Sequence, residues 1–320
     1  MENMFTALWQ TITMILLSAV GYIMYKTGKI SQSGSKSLGN ILIFLSLPCV
    51  IMKGFLVERT AERINGLLIS ALMAAIILMI SIVISRLILG RHAIDNFAGA
   101  FSNPGFFGAP LIIASIGSES VFYIAAFIAF LNLLQWTYGV SLMKNSDENG
   151  LLISDKHRSD NSSQICTLPA KLLKAPSMIA LLIGIFFFLT SLPVPDIIKT
   201  CITEIAGLNT PLAMFIIGIY MAQTDILKAF TKRRLYLVSL VRLIIIPLIS
   251  IVLLLWLPSS MNSLRIAMLI AAACPVGNNV AVYAQLNNKD YGYAVETVVI
   301  STLLSIVTLP AIMYLAELLF

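Results

Sequence analysis

Ten runs of apolar residues, each near the length of a membrane crossing and separated by short polar intervals, dominate this chain. About 20 apolar residues in helical conformation cross the hydrocarbon of a bilayer. That length predicts helices over 5–25, 38–56, 66–89, 95–116 and 120–143, then over 175–192, 197–223, 235–257, 264–285 and 291–319. The interval 144–168 differs from the others. It holds Asn145-Ser146-Asp147-Glu148-Asn149-Gly150 and Ser159-Asp160-Asn161-Ser162-Ser163, too polar to bury and rich in loop formers. The pattern therefore predicts an all-α polytopic membrane protein in three parts: five helices in 1–143, a loop over 144–168, and five helices in 169–320.

Two of the runs carry helix-hostile clusters near their middles, Asn103-Pro104-Gly105 in the fourth and Cys274-Pro275-Val276-Gly277-Asn278-Asn279 in the ninth. Proline lacks an amide hydrogen and clashes with the preceding turn, and glycine relaxes the backbone, so each cluster is expected to unwind its helix. Peptide groups freed at membrane depth are tolerated only where protein buries them or where they line a polar cavity, which makes this pair the predicted site. Spacing relates the two halves. Pro104 precedes Glu119 by 15 residues and Pro275 precedes Asp290 by 15, while Pro48 and Pro211 lie 56 and 64 residues before the two central prolines. Five spans per half is an odd number, so a second copy of the unit must be inverted relative to the first. Single prolines such as Pro48, Pro247 and Pro310 read instead as kinks that neighbouring helices re-satisfy.

Composition narrows the class. A chain of 320 residues that is 58% hydrophobic and 11% charged, with mean hydropathy +0.92, is not a water-soluble fold. The net charge of +6 does not indicate a nucleic-acid partner, because the basic residues sit between apolar runs. Fifteen Lys and Arg, among them Lys26, Arg91, Lys144 and Arg233, fall on one side of the bilayer. Five, Lys53, Arg59, Arg63, Lys199 and Arg265, fall on the other. The positive-inside rule then predicts a cell-membrane protein with both termini outside. The first ten residues hold only Glu2 as a charge and no clear cleavage site follows, so the first run is expected to remain a span. Four scattered cysteines, Cys49, Cys166, Cys201 and Cys274, lack the spacing of a zinc site or a disulfide framework.

The run Asn103-Pro104-Gly105-Phe106-Phe107-Gly108-Ala109-Pro110-Leu111 resembles the motif of the auxin efflux carrier family of secondary transporters. Pro275-Val276-Gly277-Asn278-Asn279-Val280-Ala281-Val282-Tyr283 and the terminal Ser301-Thr302-Leu303-Leu304-Ser305-Ile306-Val307-Thr308-Leu309-Pro310 are similar to that family's second-half patterns. The resemblance covers essentially the whole chain. It implies the fold of the bile-acid sodium symporters, in which the fourth and ninth helices are unwound and cross at the membrane centre. It also implies a scaffold of spans 1, 2, 6 and 7, a mobile transport domain of spans 3–5 and 8–10 working as an elevator, homodimerisation, and a dicarboxylate substrate such as malate or malonate.

Such a crossing suits an anion. The second half of a broken helix offers unpaired amides and a positive dipole end, so two crossing helices aim two such ends at one point. Asn103, Asn278 and Asn279 add side-chain amides that donate to an anion or accept from a hydroxyl, unless they only cap their own half-helices. Pro104 and Pro275 mark the breaks, and Gly105, Gly108 and Gly277 let backbone approach backbone or ligand. Charge at membrane depth is costly, which singles out Arg242 in the eighth span and Glu296 in the tenth. Two readings stand for them: Glu296 takes up a coupling ion while Arg242 holds substrate or the glutamate, or each bridges helices or reaches an interface. Asn132 and Gln135 either line the path or join helices.

The coupling ion is open between H+, Na+ and none. Sodium-coupled relatives carry acidic and amide ligands around the ninth span, whereas Cys274, Asn278, Asn279 and Gln285 stand here without a carboxylate. Carbonyls and the hydroxyls of Ser301, Thr302 and Ser305 would still suit a hard cation. An enzyme is the rival from another class, but no His-Glu-x-x-His occurs, no cofactor or metal motif is present, and His92 and His157 lie outside the spans. An anion channel is a nearer rival, because broken helices also build selectivity filters. A sensor that binds an organic acid without moving it is a third.

Overall fold

The structure, a computed structural model, describes residues 2–146 and 176–320, with side chains from Phe5 onward. Residues 147–168 of the predicted central loop, with His157 and Cys166, lie outside the described residues, as do 169–175. Lys144 ends a helix rather than opening the loop.

The described chain is built of helices. The principal ones in order are α1 (Glu2–Lys26), α2 (Gln32–Phe55), α3 (Ala61–Leu89), α4a (Ala93–Ala100), α4b (Pro104–Ile116), α5 (Ser118–Lys144), α6 (Pro176–Thr190), α7 (Asp196–Gln223), α8 (Arg233–Leu254), α9a (Asn262–Ala273), α9b (Asn279–Leu286) and α10 (Tyr291–Leu319), with a short helix at Ile226–Thr231 between α7 and α8. Seven of them, α1, α2, α3, α5, α7, α8 and α10, are long and apolar enough to cross a membrane, and α4b and α6 are shorter apolar helices. The starts follow local chemistry. The Ser31, Thr60 and Asp290 side chains accept from the amides of Gly34, Arg63 and Tyr293 at 3.1, 3.1 and 2.9 Å, which satisfies donors that a first helical turn leaves open. Ser31 is why α2 begins six residues before the predicted start at Leu38: the polar turn 32–37 is capped and stays helical although it is not apolar.

Exposure follows the logic of a membrane protein. On α3, Leu68, Leu72, Met79, Val83 and Leu87 are exposed, while Ser70, Ala74, Ser81 and Ser85 are buried. The exposed face is made of large apolar side chains, and the buried face mixes these small or hydroxylated residues with Ile77, Leu78, Ile82 and Leu89; the small residues allow the close van der Waals approach that joins helices in hydrocarbon. The same rule sets the contact of α1 with α7. A Cβ on Gly218 would lie 1.9 Å from the Ser18 carbonyl oxygen, and one on Gly21 would lie 2.4 Å from that of Phe215. Packing among the described helices falls into two sets. α1 and α2 pack on α7, and α2 packs on α6; α3 packs on α4a and α5, and α10 packs on α8 and α9b. α1 also lies against α4b and α10, so the two sets share a long seam.

Among the described residues four helices contain one wide π-type turn: Leu42–Ser46 in α2, Pro104–Gly108 in α4b, Gln135–Gly139 in α5 and Val241–Ile245 in α8. In three of them a proline, Pro48, Pro110 or Pro247, follows two residues after the turn ends. The missing proline amide frees an upstream carbonyl, and the wide turn absorbs the mismatch. Pro310 stays inside regular helix.

Candidate functional site

Both predicted breaks are present, and they meet. The backbone leaves helix at Phe101 and resumes at Pro104, and it leaves again at Cys274 and resumes at Asn279. Ser102 and Val276 form an antiparallel bridge, and the Gly277 amide donates to the Phe101 carbonyl at 3.1 Å. Two hydroxyls complete the joint: Ser102 Oγ donates to the Ala271 carbonyl at 2.7 Å, and the Val276 amide donates to Ser301 Oγ at 3.1 Å. Gly277 is required by this approach, since a Cβ there would sit 2.8 Å from the Ser102 carbonyl oxygen. All residues from Phe101 to Gly108 and from Cys274 to Asn278 are buried.

The two asparagines occupy the N-cap positions of α4b and α9b, yet neither side chain makes a capping hydrogen bond. They face each other instead, Asn103 Nδ2 donating to Asn278 Oδ1 over a long 3.4 Å. Their side chains are therefore not consumed by their own helices. Of the first-turn amides, those of Gly105, Phe106 and Asn279 have no partner among the described residues, while Val280 and Ala281 already donate to the carbonyls of Gly277 and Asn278 at 3.1 and 3.2 Å. Pro104 is the first residue of α4b, where its absent amide costs nothing. Around this pair lie Asn279, whose Nδ2 donates to Gln135 Oε1 at 2.7 Å, and Gln135 itself, buried with Nε2 unpartnered among the described residues. Gly105 touches α2: a Cβ on it would lie 2.9 Å from Leu47 Cδ1. Gly108 lies over Cys274, at 3.0 Å by the same construction.

One member escaped the sequence reading. Asn209 of α7 is buried, donates through Nδ2 to the Gly105 carbonyl at 2.9 Å, and has Oδ1 without a partner among the described residues. Its signal was available, because Asn209 stands two residues before the mid-run Pro211, where α7 is interrupted at Leu208.

The remaining candidates separate. Asn132 Nδ2 donates to Ser177 Oγ at 3.1 Å and so ties α5 to α6, while Gln135 turns to the crossover. Ser305 Oγ donates to the Thr302 carbonyl at 2.7 Å within α10. Glu296 is bound to Lys232 at 2.5 Å, before the start of α8, and does not pair with Arg242. Arg242 is 1% exposed and donates to the carbonyls of Gly99, Ala100 and Ala272, the first two at 3.1 Å. Those carbonyls end α4a and α9a, so one guanidinium caps both first half-helices.

Two further polar clusters flank the crossover. Asp95, fully buried in the first turn of α4a, binds Arg234 Nε and accepts from the Tyr293 hydroxyl at 2.8 Å, with His92 Nδ1 at 3.3 Å. At the opposite end of α3, a surface cavity of about 520 Å³ is lined by Lys53, Glu58, Arg63, Glu119, Lys199 and Thr203. It opens between α2 and α7 on one wall and α3 and α5 on the other.

Comparison with known proteins decides the class. The family of membrane transport proteins matches residues 5–313. The chain belongs to this family, the auxin efflux carriers. Two relatives align along nearly their whole lengths with this carrier. An uncharacterized transporter of Methanothermobacter thermautotrophicus is 25% identical over 93% of the chain and 95% of its own length. A Rhizobium meliloti protein, provisionally named a malonate transporter, is 23% identical over 95% of each. The carrier is thus a multi-pass membrane transporter and not an enzyme.

Proposed function

We propose that this carrier moves a small organic anion, a carboxylate or dicarboxylate, by alternating access around the crossover of α4 and α9. The observation that carries the reading is the meeting of the two breaks, with Asn103 and Asn278 on helix starts they do not cap. Two positive helix ends and neutral amides hold an anion with directional donors, and without a fixed lysine that would hold it too tightly to release. Pro104, Gly105, Gly108, Pro275 and Gly277 shape the backbone of this seat, and Asn279, Gln135 and Asn209 border it.

In this reading α1, α2, α6 and α7 form a scaffold, and α3–α5 with α8–α10 form a transport domain that slides against it in elevator fashion. Ten spans in two inverted five-helix units, with both termini outside, complete the topology. Two features support it: helices pack in these two sets, and Asn209 reaches from one set to the Gly105 carbonyl of the other. The cavity lined by Lys53, Glu58, Arg63, Glu119 and Lys199 opens at the same boundary, on the outer side in this topology; Arg63 is paired with Glu119, so the lining carries only a small positive balance. The provisional name of the Rhizobium meliloti relative makes malonate the first probe.

Reconstitution in liposomes tests the proposal. Labelled malonate uptake should saturate and should accelerate when unlabelled malonate is loaded on the far side. A channel would show neither property, and a sensor would bind malonate without flux.

A further inference from the structure

A buried guanidinium with no carboxylate partner is an unusual object in a membrane protein, and its surroundings explain it. No ion pair involves Arg242 among the described residues. Its hydrogen bonds go to Gly99, Ala100 and Ala272, which are the final turns of α4a and α9a. A helix end carries about half a negative charge on its open carbonyls, so two ends converging on one point amount to about one negative charge. In a low-dielectric interior that charge draws a cation. The wide turn Val241–Ile245 places Arg242 there, and the two breaks bring the carbonyl ends together from chain positions far apart.

We infer that Arg242 is a resident cation: its guanidinium fills the seat between the two half-helix carboxyl ends, where an ion from solution would otherwise bind. The crossover then needs no Na+ to hold its negative ends together. Arg242 is a positioning residue and not a substrate contact. It fixes the first half-helices so that the second halves present their amides to the guest on the other side. The inference deepens the function proposed above by assigning the coupling side of the same crossover. It leans on that function only for the identity of the guest.

The test uses no substrate, so its outcome is independent of whether malonate is transported. Apparent melting temperatures of the purified full-length protein in detergent are compared in matched sodium, choline and guanidinium chlorides at millimolar concentration. The wild type should melt alike in all three salts. Arg242→Gln should melt lower by roughly 10 °C, and guanidinium, unlike choline, should restore at least half of that loss by filling the vacated seat. A sodium-specific rise in the wild type overturns the inference, as does an Arg242→Gln protein that is indifferent to guanidinium or as stable as the wild type. If Arg242→Gln yields no folded protein, Arg242→Lys decides. It keeps the charge while reaching fewer carbonyls, and should fold and remain indifferent to sodium; failure to fold, or stabilisation by sodium, overturns the inference.

Discussion

The two sides of the crossover are finished differently. On one side the carbonyl ends of α4a and α9a converge on Arg242 and are satisfied by the protein itself. On the other, the amide ends of α4b and α9b meet at Asn103 and Asn278, which share one long hydrogen bond and cap nothing. Helix breaks expose both kinds of partial charge. The carbonyl ends share one internal cation, whereas the amide ends are met only in part, through Val280 and Ala281 in α9b. The amides of Gly105, Phe106 and Asn279, with no partner among the described residues, are what an anion would meet, which is the physical reason to propose one.

Breaking the satisfied side should have the largest effect. Arg242→Ala leaves three buried carbonyls without their donor and should lower stability by about 3 kcal/mol or more, seen as a fall in apparent melting temperature. Changing the amide side should spare the fold and weaken binding of the guest. Asn103→Ala and Asn278→Ala should each weaken malonate binding by roughly tenfold or more, near 1.5 kcal/mol, in a thermal-shift titration. Asn262→Ala, at the exposed start of α9a, should leave it unchanged, and equal effects would remove the site assignment. Asn209→Ala should act between these limits. It removes the bond from α7 to the Gly105 carbonyl, so uptake in liposomes should change more than stability. The smallest effect belongs to Glu296→Gln. Its partner Lys232 is solvated, so the pair is worth under about 1 kcal/mol, and the pH profile of uptake should survive. Loss of that profile would make Glu296 the proton carrier and shift coupling away from the crossover.

What could be read in the sequence follows from what leaves a local mark. Apolar length gave the helices, and Pro, Gly and Asn together gave both breaks, because those residues act on their own backbone. Contacts made to a distant backbone leave no such mark. Arg242 is conspicuous as a charge in an apolar run, but its partners are carbonyls, which every residue owns, so the sequence leaves it between substrate, Glu296 and a bridge between helices. Asp95 looked like the edge of a span, and Arg234 and Tyr293, which bind it, are 139 and 198 residues away. Asn209 stands two residues before Pro211, which the spacing marks only as the counterpart of Pro48. The wide turns fall between these cases. Three announce themselves by a proline two residues on, while Gln135–Gly139, which carries a site residue, has none.

The most direct test is an experimental structure of the carrier with malonate bound. The account predicts density for a carboxylate between Asn103 and Asn278 at the starts of α4b and α9b, with the Arg242 guanidinium still on the carbonyls of Gly99, Ala100 and Ala272. Density elsewhere, or an Arg242 that has left those carbonyls to hold the anion, would contradict it.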